Sequence, residues 1–114
     1  MDIKVRHTGD ITILEPEGSL DISNAHRMRQ VMNDTISAGS ARVVVNLREL
    51  HFVDSSGLAV LIQGLKRARG YQGSLCLCSL QPPVRMIVEL TRFDKIFEIF
   101  VSEEEAVLAT AGQY

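Results

Sequence analysis

Apolar residues recur along this chain with two periods, and each period marks one kind of element. Ile3 and Val5, then Ile11 and Ile13, alternate with polar neighbours, and Thr8-Gly9-Asp10 lies between the two pairs. The alternation predicts strands, and the intervening turn residues make them a β-hairpin with one wet face. Glu15-Pro16-Glu17-Gly18 is expected to break it. The spacing then changes. Ala25, Met28, Met32 and Ile36 fall three or four residues apart, as the buried stripe of a helix does. Asp21, Ser23 or Asn24 can open that helix by accepting a hydrogen bond from a free first-turn N–H, and Gly39 is expected to end it.

Arg42-Val43-Val44-Val45-Asn46-Leu47 is a continuous β-branched run, the pattern of a central strand covered on both faces. Leu58, Leu61, Ile62 and Leu65 predict a second helix. Lys66, Arg67 and Arg69 crowd its last turn, where cations meet the negative end of the helix dipole, and Gly70 is the expected cap. Leu75 to Leu80 reads as another buried strand, and Pro82-Pro83 opens a third helix carrying Val84, Ile87 and Val88. Ile96, Phe97, Ile99 and Phe100 form a last short strand or apolar turn. Ser102-Glu103-Glu104-Glu105 is a capping box that starts a C-terminal helix. The predicted order is β-β-α-β-α-β-α-β-α. Helices alternating with buried strands imply an α/β layer fold whose mixed sheet carries the hairpin at one end and pairs largely in parallel elsewhere.

The chain's 114 residues are the length of one domain, and 46% hydrophobic content suffices for a packed core. Twelve basic and fourteen acidic residues leave a net charge of -2. That balance lacks the basic excess of a dedicated nucleic-acid binder, and an aromatic content of 5% with no Trp offers no stacking platform. No stretch reaches the roughly 18 apolar residues that cross a bilayer, and the alternating start is not a signal peptide. The expectation is a cytoplasmic protein with no membrane partner. Cys76 and Cys78 lie too close on one strand to be good disulfide partners, and no second Cys or His pair stands at zinc-ligand spacing, so both are expected in the core.

Candidate chemistry concentrates at His51-Phe52-Val53-Asp54-Ser55-Ser56-Gly57-Leu58. Here a strand ends and a helix begins, and α/β folds tend to place their sites at such junctions. The unpaired first-turn N–H groups and the positive dipole end stabilise an oxyanion or phosphate. Taken by itself, Asp-Ser-Ser-Gly is an ordinary helix start in which either Ser55 or Ser56 could accept a phosphate, and Gly57 would leave the surface open to a partner. A hydrolase reading lacks the Gly-x-Ser-x-Gly elbow. His51 precedes the strand end, and His7 and His26 have no visible role. No Gly-x-x-x-x-Gly-Lys-[Ser/Thr] loop is present to bind ATP.

In these residues the chain resembles the STAS family, and most closely its bacterial anti-sigma factor antagonists. The likeness is carried by Val43-Val44-Val45-Asn46-Leu47, Leu50, Phe52-Val53-Asp54-Ser55-Ser56-Gly57-Leu58, Gly18-Ser19-Leu20-Asp21, Pro82-Pro83-Val84 through Leu90, Phe93 and Ile96-Phe97. It covers essentially residues 1–114 as one STAS domain. The resemblance implies a central mixed β-sheet with about four helices packed on one side, and no catalytic activity, metal or cofactor. It also implies phosphorylation of Ser55, rather than Ser56, by an anti-sigma factor that is itself a serine kinase. The unphosphorylated form would bind that kinase and release sigma, and a PP2C-type serine phosphatase would reset it. Asp21, Asp54, Ser56, Gly57 and Leu58 would form the loop and docking surface around Ser55. Many members carry Gly where this chain has Ala59. The alternative reading is a STAS scaffold, or a regulatory subunit of a signalling assembly, a transporter or a lipid pathway.

Overall fold

A computed structural model describes residues 1–112 of the chain. The hairpin forms where the alternation places it. β1 (Ile3–Thr8) and β2 (Ile11–Pro16) pair antiparallel from Ile3↔Pro16 to Thr8↔Ile11, and Gly9 supplies the positive φ of the turn. β2 then pairs in parallel with β4 (Arg42–Asn46), β4 with β6 (Ser74–Cys78), and β6 with β7 (Ile99–Phe100). The sheet order is β1-β2-β4-β6-β7, so the hairpin's first strand is one edge and the centre is parallel.

The wet face expected of the hairpin belongs to β1 alone. β2 is buried along its whole length, and Glu15 lies inside it at 1% exposure instead of breaking it. The physical reason is pairing. Arg6 and Arg48 both reach the Glu15 carboxylate, at 3.1 Å and 3.0 Å, so the strand can carry a charge into the interior.

Two short strands have no counterpart in the predicted order. β3 (Gly18–Leu20) and β5 (Leu50–Val53) pair in parallel as a separate two-stranded sheet. α1 (Ala25–Thr35) follows β3, and its apolar stripe of Ala25, Met28 and Met32 is buried as predicted. α1 ends at Ile36, before Gly39, which instead takes positive φ in the turn beyond. α2 (Ser55–Gly70) packs against α1 so closely that a Cβ at Gly64 would strike the Met32 sulfur. Gly70 lies within α2, and Gln72 takes the left-handed conformation after it. α3 (Pro82–Leu90) and α4 (Glu103–Ala111) complete the helices, with Ser102 capping α4 through the Glu105 N–H at 3.2 Å.

The fold class is thus the expected α/β arrangement on a mixed sheet, but the helices do not all lie on one side. Leu14, Val43, Val45, Leu75 and Leu77 form one core with residues of α1, α2 and α3. The alternate residues Ile13, Val44, Cys76 and Cys78 form a second, with Ala106 of α4. Successive strand residues point to opposite faces, so α4 covers the face that α1–α3 leave bare. The unbroken valine run demands this: either face of β4, left open, would expose apolar side chains to water.

Candidate functional site

The β3–β5 pair sets the geometry. Its register matches Leu20 with Val53, so the residues that follow them, Asp21 and Asp54, emerge at the same end of the pair. The Asp54 N–H donates to the Leu20 carbonyl at 3.2 Å and fixes the junction. α2 begins there with Ser55, and Asp54 is its cap.

Asp54 uses both carboxylate oxygens. Oδ1 accepts from the Gly57 N–H at 3.0 Å, which satisfies a first-turn donor of α2. Oδ2 accepts from the Ile22 N–H at 3.1 Å, in the loop that leads into α1. One side chain therefore caps the second helix and holds the approach to the first. Asp21 is engaged too. It accepts from the Ser23 hydroxyl and N–H, and from the Ser19 hydroxyl at 3.1 Å. The Ser23 hydroxyl, followed by the Ser23 N–H, holds the Asp21 carboxyl below the usual range. Asn24 closes the loop, donating to the Ser19 carbonyl at 2.8 Å and accepting from the Asp21 N–H at 2.9 Å.

The remaining candidates separate by burial. Ser55 is exposed and Ser56 is half-buried. Gly57 and Leu58 are buried and face the core, so they shape the loop from beneath. Gly57 is constrained by close approach: a Cβ there would lie 2.5 Å from the Leu20 carbonyl oxygen and 2.8 Å from Val53 Cγ2. Two apolar residues near the junction in sequence are exposed: Ile22, whose N–H the Asp54 carboxylate holds, at 80%, and Phe52 of β5 at 49%. Ile22 belongs to no periodic stripe, and its signal was an apolar residue set between Asp21 and Ser23 in a cap loop; Phe52, between His51 and Val53, entered only as part of the family motif.

The other candidate chemistry lies away from this loop. His26 and His51 are exposed, and the His7 ring meets the Thr12 hydroxyl at 3.4 Å. Cys76 and Cys78 are buried thiols under α4, and burial pushes Cys78 up to about 11. Among the described residues no cluster of three His, Cys, Asp or Glu could hold a metal ion, and no helix is long and apolar enough to cross a membrane.

A STAS domain family model matches residues 2–106. BtrV of Bordetella bronchiseptica, described as a candidate anti-sigma factor antagonist, is 34% identical over 93 residues, covering 82% of this chain and 80% of that protein. The anti-sigma F factor antagonist of Paenibacillus polymyxa is 28% identical over 108 residues, covering 94% and 92%. Among solved structures, a Thermotoga maritima protein described as a candidate anti-sigma factor antagonist superposes with a TM-score of 0.89 at 26% identity, covering 96% and 94%.

Proposed function

The chain belongs to the STAS domain family, and from that premise we propose that it is an anti-sigma factor antagonist switched by phosphorylation of Ser55. Unphosphorylated, it docks on a kinase-type anti-sigma factor in the cytoplasm, and sigma is released. The kinase then transfers the γ-phosphoryl group of its own ATP to Ser55. The Oγ–P bond forms, the bond to the β-phosphate breaks, ADP leaves, and the hydroxyl proton passes to a base of the partner or to water. A PP2C-type phosphatase hydrolyses the ester and resets the switch. This chain contributes the acceptor and the docking surface, and no catalytic group.

The observation that carries this reading is an exposed Ser55 hydroxyl at the first residue of α2, on a loop held by two carboxylates. Both Asp21 and Asp54 already accept from backbone N–H groups, so they act as scaffold for the loop and leave the hydroxyl to the partner. A phosphate here adds about -1.5 to -2 charge. The helix N-terminus stabilises that charge locally, so the fold persists. The surface changes instead: the phosphate adds to the negative charge of Asp21 and Asp54 alongside, so a mildly acidic patch becomes strongly anionic and repels what a bare hydroxyl admits.

The test is phosphopeptide mass spectrometry after incubation with ATP and each kinase-type anti-sigma factor of the source genome. Phosphate is expected on Ser55, absent in Ser55→Ala and retained in Ser56→Ala. Phosphate on Ser56, or none with any candidate while the protein is folded, overturns the proposal.

A further inference from the structure

The Ser55 loop is one end of a longer surface. α1 and α2 run side by side, joined from end to end by contacts between the Asp54 carboxylate and the Ile22 N–H, between Arg29 Nε and Gln63 Oε1 at 2.9 Å, and between the Arg67 guanidinium and the Asn33 carbonyl at 3.1 Å. Ser55, Ala59 and Lys66 fall within about 40° of one another around α2, on the side opposite its buried stripe. Gln63 leans from that stripe toward Arg29. From Ser55 to Lys66 the exposed positions of α2 carry no charge, and Lys66 is eleven residues on, about 16 Å along the axis.

The far end of this surface is basic. α1 and α2 together carry five Lys or Arg residues against the single carboxylate of Asp34, in a chain whose net charge is -2. Arg67 is accounted for by structure: it donates to the Ile36 carbonyl at 2.8 Å and to Asn33, and lies over the Tyr71 ring. Arg27, Arg29, Lys66 and Arg69 are exposed, and among the described residues none of the four meets a carboxylate; Arg29, bonded to Gln63, and Lys66, three residues after Gln63 on α2, are the two that fall together on the α2 side of this surface. Arg29 bonds to the neutral Gln63 amide, which holds it beside the α2 stripe with its charge uncompensated.

We infer that Arg29 and Lys66 form the basic end of a docking surface that begins at Ser55, and that they receive an acidic patch on the partner protein. The inference rests on the reading of the chain as an antagonist and names the chemistry its anti-sigma partner must present. The two ends have separate tasks. Ser55, with Ile22 beside it, decides whether the complex is allowed. Arg29 and Lys66 steer the encounter, since complementary charge acts mainly on the association rate. The distance supports the division. About 16 Å is twice the Debye length of about 8 Å at physiological salt, so a phosphate on Ser55 is largely screened from Lys66 and acts where it stands.

The experiment measures association with the anti-sigma kinase that phosphorylates Ser55, as a function of salt. Arg29→Glu/Lys66→Glu is compared with wild type, with Arg29→Gln/Lys66→Gln as the milder pair. Circular dichroism and melting temperature report that each is folded. The charge-reversal pair is expected to slow association about tenfold at low salt and to flatten its salt dependence, and the neutral pair to fall between. Phosphate is expected still to reach Ser55 once the complex forms. The losses from Ser55→Asp and from the reversed pair are expected to add, as distant sites do. Unchanged association with a kinase that does bind overturns this inference and leaves the antagonist reading intact. If no anti-sigma kinase binds the wild type, the antagonist reading itself fails. The inference is also overturned if the pair instead governs binding to duplex DNA, to anionic vesicles, or to a second copy of the chain detected by sedimentation.

Discussion

Asp54 illustrates how much one side chain decides here. Its two oxygens satisfy the Gly57 amide in α2 and the Ile22 amide in the loop before α1, so the loop and the helix start cannot move apart without losing an acceptor. Asp54→Ala is expected to cost about 1–2 kcal/mol, the range of a lost helix cap. Amide exchange at both Ile22 and Gly57 is expected to rise with it, and a rise at Gly57 alone would show that the bridge to Ile22 carries no weight. The neighbouring serines differ at the same scale. Ser55 is exposed and Ser56 is half-buried, a distinction that the letters Ser-Ser cannot express. The turn of α2 makes it, by carrying the second hydroxyl about 100° around toward α1.

At the scale of elements, the site depends on α2 sitting directly on the β3–β5 pair. Gly57 makes that contact possible, because its missing Cβ is where the Leu20 carbonyl lies. Gly57→Ala is expected to lower stability by about 1–3 kcal/mol despite the better helix propensity of alanine, since backbone rather than a flexible side chain must give way. Urea unfolding checks this, and a stabilised variant would contradict it. The strands beneath were not legible beforehand. β3 has three residues and β5 four, too short for a period to declare itself, and each is held by pairing with the other. By contrast the stripes of α1 and α2 were plain, because burial of one helix face repeats over several turns.

At the scale of the molecule, the helices on opposite faces of the sheet carry opposite charge. α4 has Glu103, Glu104 and Glu105 and no basic residue, whereas α1 and α2 are basic. α4 is tied to the sheet through Glu103, which takes Arg6 at 2.6 Å and Asn46 at 3.0 Å, while Arg6 also reaches buried Glu15. Arg6, against a smaller burial penalty, holds the Glu103 carboxyl below its usual 4.5. Burial by itself would raise Glu15, but hydrogen bonds from Arg48 and Arg6 outweigh it and lower that carboxyl too. Groups whose native pKa is depressed stabilise the fold fully above the unfolded value and lose that contribution as pH falls through the native one. Stability is therefore expected to decline between about pH 5 and pH 3. Glu103→Gln is expected to make the decline shallower in urea titrations across that range, and an identical slope would remove Glu103 from the account.

The chain by itself determined the alternation of strands and helices, the hairpin at one end of a mixed sheet, the buried cysteines and the Asp54-Ser55 helix start, because each is written in local spacing or cap chemistry. Tertiary structure alone decided that α4 lies across the sheet from α1–α3, that Glu15 can sit inside a strand, and that Ile22 stands beside Ser55. Those outcomes depend on partners far away in the chain. Arg48 and Arg6 neutralise Glu15, the second face of Val44 and Cys76 needs a cover, and Asp54 reaches across 32 positions to Ile22. A periodic pattern records which face of an element is apolar, but not which distant element will cover it.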